Sequence, residues 1–384
     1  MNSLLPADPR ALLFGRVFRP ALGGPSVVAV RNGRLIDISR TFPTARDLCE
    51  QTDPAASLRA AVGEDIGDLA DIHANTDPAT RDPSRPWLLS PIDLQAVKAA
   101  GVTFATSLLE RVIEEKARGD AGAAAAIRVQ VESLVGNDLR ALRPGSPEAM
   151  ALKAALIQAG AWSQYLEVGI GPDAEIFTKG QPLSTVGTGV EIGVHPASTW
   201  NNPEPELVLV IAASGRIVGA TLGNDVNLRD VEGRSALLLG KAKDNNGAAA
   251  VGPFVRLFDD GYGLADVRRA EITLRVEGTD GYILEGRSSL SRISRDPVDL
   301  AAQAINDHHA YPDGLVLYLG TLFAPVQDRD EPGRGFTHKT GDRVIIACAE
   351  LGTLSNRVAP TDKVEKWTMG AGGLMRNLAG RGLV

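Results

Sequence analysis

The segment that most limits the fold is Glu204-Pro205-Glu206-Leu207-Val208-Leu209-Val210-Ile211, followed by a Ser214-Gly215 turn and then by Arg216 to Asp225. So dense a run of branched apolar residues, bounded by turn residues, reads as a strongly apolar strand. The two glutamates at its head are two apart and point to one face of an extended chain. If Ser214-Gly215 closes a two-residue hairpin, Leu222 pairs with Leu207 and Asp225 lies opposite Glu204. Cross-strand Cβ atoms sit about 4.5–5.5 Å apart, so three carboxylates crowd one patch. Close like charges beside a core need protonation or a cation. Three oxygen ligands with vacant positions suit Mg²⁺, Mn²⁺ or Ca²⁺. The competing reading is a hydrated hairpin end that happens to be acidic.

The rest of the chain places this segment in a mixed fold. Short apolar runs recur at 187–194, 216–222, 271–276, 316–319 and 343–349 without regular helices between them. That pattern excludes a doubly wound sheet and favours an α+β, β-rich fold with peripheral helices. Helical spacing of Leu108, Leu109, Val112 and Ile113 predicts one such helix. Ser146-Pro147-Glu148 opens a second, expected to reach about Tyr165. Residues 1–90 read as a small N-terminal α/β unit, with an Asn32-Gly33 hairpin turn. The polar stretch 65–85 reads as a linker, and 91–384 as the catalytic domain.

Composition removes several classes of function. A net charge of −7 argues against a general nucleic-acid binder. No apolar run is long enough for a membrane span. Two cysteines, Cys49 and Cys348, cannot form a disulfide framework, so a cytoplasmic setting is expected. The five histidines lack zinc-site spacing, and no phosphate-binding glycine loop or nucleophile elbow is present. Two further clusters carry chemistry. Lys241 lies in the amide-rich loop Gly240 to Asn246, which includes Asn245, and is a candidate for carbonyl polarisation or proton transfer. Glu175 and Lys179 flank Ile176 and Phe177, where an exposed ion pair is the plainer reading.

Together these segments resemble the fumarylacetoacetate hydrolase superfamily over roughly residues 90–384. The carriers are Glu204-Pro205-Glu206, then Gly223 to Asp230, Gly240-Lys241 with Gly252-Pro253, and Gly335-Phe336-Thr337 with Gly341-Asp342. The resemblance implies a mixed β-sandwich roll, assembled as a homodimer or homotetramer. It also implies Mg²⁺ held by Glu204, Glu206 and Asp225, with Lys241 as the family lysine. Hydrolases of the family carry a segment like Gly-Leu-Asn-Tyr-x-x-His-x-x-Glu, whose histidine activates water. The matching segment here, Gly101 to Glu110, has Ser107 in place of that histidine, and a serine without a base cannot take over its duty.

The chain instead resembles the superfamily's 2-keto-3-deoxy-pentonate dehydratases, through Ser163 to Glu167, Ile176 to Lys179, Trp200-Asn201-Asn202 and the tail Arg376 to Leu383. This implies dehydration of 2-keto-3-deoxy-D-xylonate or D-arabinonate to 2,5-dioxopentanoate. Lys241 and Glu175 are then the proton-transfer pair. Ser107, Arg111, Lys179 and Asn245 are substrate-binding candidates, as is Cys348, which stands where many members have a substrate-contacting threonine. The alternatives are hydrolysis or C–C cleavage of an acylpyruvate, and a sugar-acid binding protein without turnover.

Overall fold

The computed structural model describes residues 3–118, 120, 122–124, 142–158, 162–321, 323, 325 and 327–384; of 105–107 and 109 it describes the backbone alone. Its strands, in chain order, are β1 (Leu13–Arg19), β2 (Gly24–Arg31), β3 (Arg34–Asp37), β4 (Glu64–Asp68), β5 (Trp87–Leu89), β6 (Ala96–Gly101), β7 (Glu175–Gly180), β8 (Glu191–Val194), β9 (Asn201–Asn202), β10 (Pro205–Ile211), β11 (Ile217–Asp225), β12 (Asn227–Leu228), β13 (Ala249–Leu257), β14 (Glu271–Glu277), β15 (Ile283–Ser289), β16 (Leu315–Tyr318), β17 (Arg343–Cys348) and β18 (Gly352–Pro360).

An 11-stranded sheet runs β4-β3-β2-β1-β13-β11-β10-β16-β6-β7, with β5 on β1, and a five-stranded sheet runs β15-β14-β17-β18-β8. The short pair β12-β9 lies beside them. Pairing is antiparallel except β16 with β6 and β18 with β8. The continuous apolar run of β10 now has a cause. Leu207, Leu209 and Ile211 pack with Ile272, Leu274, Ile346 and Leu354 of the smaller sheet. Val208 and Val210 pack on the other side with Phe14, Leu48 and Leu58. A strand covered on both faces has no solvent side to alternate toward.

That second face corrects the expected domain picture. The helices Ala45–Cys49 and Pro54–Ala60 come from the first 90 residues, yet they cover the back of the central strands. Strand β1 hydrogen-bonds to β13, pairing Leu13 with Arg256 and Phe14 with Val255. The N-terminal segment is therefore part of the large sheet rather than a free-standing unit. Its hairpin turn is as expected, with Asn32 and Gly33 both at positive φ (52° and 75°) as a two-residue loop between twisted strands requires. The stretch read as a linker holds β4 and the helix Leu69–Ala74, which Asp68 caps by accepting from Ala70 N. Its polarity reflects an exposed edge strand and a cap. The second helix is described over Pro147–Gln158, and Ser163 caps a further one, Gln164–Ile170.

Candidate active site

The hairpin β10–β11 has the expected register: Pro205 pairs with Asn224, Glu206 with Gly223 and Leu207 with Leu222. The turn is looser than a two-residue loop. Ala212 N donates to Arg216 O, and a bulge after Val210 absorbs the extra residue. Beyond the paired strands the register continues, with Asp225 N donating to Glu204 O at 3.0 Å. Glu204, Glu206 and Asp225 each offer an oxygen, all within 4.8 Å of one another, and all three residues are buried. Gly223 lets the hairpin close here, since a Cβ on it would lie 2.3 Å from the Tyr318 ring.

Three cations answer these carboxylates. Lys243 Nζ donates to Glu204 Oε2 (2.6 Å) and to Asp225 Oδ2 (3.0 Å). Arg111 donates to Glu204 Oε1 (2.6 Å) and to Glu114 (2.7 Å), and lies 3.1 Å from Glu232 Oε2. Lys179, wholly buried, donates to Val226 O and Lys243 O. It also forms an ion pair with Asp225 Oδ1 at 2.7 Å. Burial by itself raises the Glu204 carboxyl, but Lys243 and Arg111 outweigh it and hold the group down to about 2. Among the described residues Glu206 has no such partner. Burial, then the charges of Asp225 and Glu204, push it well above the usual carboxylate range, against one hydrogen bond from Gly320 N at 2.6 Å.

A narrow cleft joins these groups to Glu175, Phe177, Val102, Gly320 and Thr321. Five carboxyl groups line it (Glu175, Glu204, Glu206, Asp225, Glu232) against Arg111 and Lys243, with Lys179 behind. With all five ionised, the carboxyl groups would outnumber the three cations by two, the charge of one divalent cation. The donors fit one: three buried carboxylates whose oxygens lie within 4.8 Å of one another, the oxygen-only set that a hard divalent cation takes. Burial, then the charge of Glu232, raises Glu175 to about 7, near the point where it changes protonation in neutral solution.

The structure brings together Glu175, Arg111, Glu204, Glu206 and Asp225. Lys179 stands behind them, tied to protein groups, and does not line the cleft. Lys241 is misplaced by the sequence reading. It is exposed and borders a separate depression with Arg118, His195 and Arg234. Lys243, two positions on along the helix Leu239–Lys243, reaches the carboxylates instead. Two steps on a helix turn a side chain by about 200°. Asn245 bonds back to Lys241 O and does not line the cleft. Cys348 is remote: it lies buried in β17 with its thiol on Glu350, and burial raises it to about 12. The side chain of Ser107 lies outside the described residues. Sequence reasoning missed Glu232 and Lys243. The four-residue spacing of Leu238 and Ala242, which pack with Val231, was the available signal for Lys243.

Residues 157–359 match the family described as fumarylacetoacetate (FAA) hydrolase C-terminal, and the chain belongs to that family. Within it, the chain is 34% identical over 194 residues to the probable 2-keto-3-deoxyxylonate dehydratase of Haloferax volcanii, covering 50% of this chain and 63% of that protein. It is 32% identical over 194 residues to the 2-dehydro-3-deoxy-D-arabinonate dehydratase of Saccharolobus solfataricus, covering 50% and 60%. The matched region thus spans less than two thirds of these curated relatives. Among solved structures the fold is similar to a 2-keto-3-deoxy-D-arabinonate dehydratase complexed with magnesium and 2,5-dioxopentanoate. That likeness has a TM-score of 0.63 at 22% identity, over 91% of this chain and 99% of the other.

Proposed function

We propose that this protein is a Mg²⁺-dependent hydro-lyase that converts 2-keto-3-deoxy-D-xylonate or D-arabinonate to 2,5-dioxopentanoate. One observation carries the reading: a buried carboxylate triad faces Glu175 across a cleft whose described lining includes no histidine. A cleft with a cation site and a titratable carboxyl, but no water-activating imidazole, favours proton abstraction over hydrolysis. The names of the curated relatives support the same substrate class.

Glu204, Glu206 and Asp225 would hold the cation, which supplies Lewis-acid polarisation of a 2-keto oxygen. Lys243, raised by Asp225 and Glu204 against the effect of burial, keeps its positive charge beside the oxygen where charge develops. Arg111 fixes Glu204 from the opposite side. Glu175, poised near 7, takes the proton from C3. The C4 hydroxyl, β to the keto group, then departs as water, and tautomerisation of the C5 hydroxyl end gives the aldehyde. A cytoplasmic homodimer or homotetramer is the assembly this reading favours. Among the described residues no helix is long and apolar enough to cross a membrane.

The test is incubation of purified protein with 2-keto-3-deoxy-D-xylonate and Mg²⁺, following the aldehyde. Turnover should vanish with chelator and fall by at least about 10²-fold in Asp225→Asn. Absence of aldehyde from the metal-loaded protein sinks the proposal; pyruvate from acylpyruvates would replace it with C–C cleavage.

A further inference from the structure

Loss of water across C3 and C4 needs two proton transfers, one from C3 and one to the departing oxygen. Glu175 serves the first. Lys243 is a poor donor for the second, because two carboxylates at 2.6 and 3.0 Å hold its proton. Lys241 faces away from the cleft. Glu232 has the properties the second transfer requires. It ends the short helix Arg229–Glu232, lines the same cleft as Glu175 and is 2% exposed. Its Oε2 makes no hydrogen bond among the described residues, with the Arg111 guanidinium 3.1 Å away as an ion pair. A buried carboxyl oxygen left without a hydrogen bond is free to meet an incoming hydroxyl. Burial raises the Glu232 carboxyl even against Arg111 and Lys243. Glu175 and Glu232 line one narrow cleft, and a charge on Glu232 disfavours one on Glu175, so the pair can share a single proton.

We propose that Glu232 is the general acid of the dehydration, the carboxyl that protonates the hydroxyl leaving C4 while Glu175 takes the proton from C3. The inference rests on the functional reading above. The C3–H bond breaks and its proton passes to the Glu175 carboxylate. The electron pair moves through the enolate to form C3=C4, the C4–O bond breaks, and the hydroxyl leaves as water with the Glu232 proton. The pair starts and ends with one proton, now on the other carboxyl, and a transfer between the two resets it.

The two half-steps separate with 2-oxobutyrate, which has C3 hydrogens and no C4 hydroxyl. In D₂O with Mg²⁺, wild type and Glu232→Gln should both exchange C3 hydrogens, within about threefold of each other. Dehydration of 2-keto-3-deoxy-D-xylonate by Glu232→Gln should fall by at least about 10²-fold. Glu175→Gln should lose both activities, and Glu232→Asp should recover part of the dehydration. Dehydration by Glu232→Gln within tenfold of wild type overturns the inference. So does loss of exchange together with dehydration, which would mean that Glu232 builds the site rather than donating a proton. If wild type itself yields no aldehyde, the functional reading fails, and this inference fails with it.

Discussion

Lys241 and Lys243 share one short helix and face opposite ways, so the same substitution at each should give opposite results. Lys241→Ala should keep at least half of wild-type turnover, because its ammonium is exposed beside Arg118 and Arg234. Lys243→Ala should lose about 10²-fold or more in kcat, because the fixed charge beside Glu204 goes with it. A steady-state aldehyde assay on the pair checks both.

Glu175 adds a pH dependence. Its folded-state pKa, about 7, lies above the 4.5 of the free side chain, so between those values the folded protein binds more protons than the unfolded. Stability from this group is full below about 4.5 and is lost as pH rises toward 7. In metal-free protein, Glu175→Gln should therefore be more stable than wild type at pH 8, by about 1–3 kcal/mol, and no more stable at pH 4. Urea unfolding at the two pH values is the check; an equal difference at both refutes the assignment.

The triad was legible in the sequence because strand register is counted by twos, and β10–β11 has the expected pairing up to Val210. The lysine was harder to read, because the Leu238–Ala242 spacing tells its facing only once a five-residue helix has been placed, and Leu238 itself makes no side-chain cap. Glu232 shares that difficulty, since the helix it ends also begins without a capping side chain.

At the scale of elements, the β10–β11 hairpin works because it is packed tightly at its site end. A methyl on Gly223 would meet Tyr318 at 2.3 Å and Val208 at 2.5 Å. Tyr318 cannot swing aside easily, since its hydroxyl donates to Ala250 O and its ring is wholly buried. Gly223→Ala should cost about 1–3 kcal/mol by overpacking and should also raise the Mg²⁺ concentration needed for half-maximal turnover, because Glu206 lies directly across from it. Thermal unfolding and a Mg²⁺ titration measure the two effects. Apolar strands such as β10, β16 and β17 were readable because burial writes itself into residue type. Strand β4 and the helix after it were not, because an edge strand with Glu64, Asp65 and Asp68 has the composition of a loop.

For the whole molecule, the sheet order decides how the halves depend on each other. Strand β13 pairs with β11 on one side and with β1 on the other. Removing residues 1–90 would bare the β1 side of β13 and uncover Val208, Val210 and Val255. The shortened chain should therefore fail to fold cooperatively, seen as loss of a sharp thermal transition; a sharp transition near that of the full chain would show an independent unit. The continuity of the sheet left no trace in composition, because pairing between distant strands is written in no local pattern. Only the covering of both faces of β10 hinted at an extra layer.

The β1–β13 ladder also bears on how such a chain can change over generations. Two modules joined by a linker can be recombined freely, each carrying its own core to a new neighbour. Here a donor of a new first segment must match the Leu13–Arg256 and Phe14–Val255 pairing and also fill the space behind β10. The halves are inherited as one, and drift in either is answerable to a strand that belongs to the other.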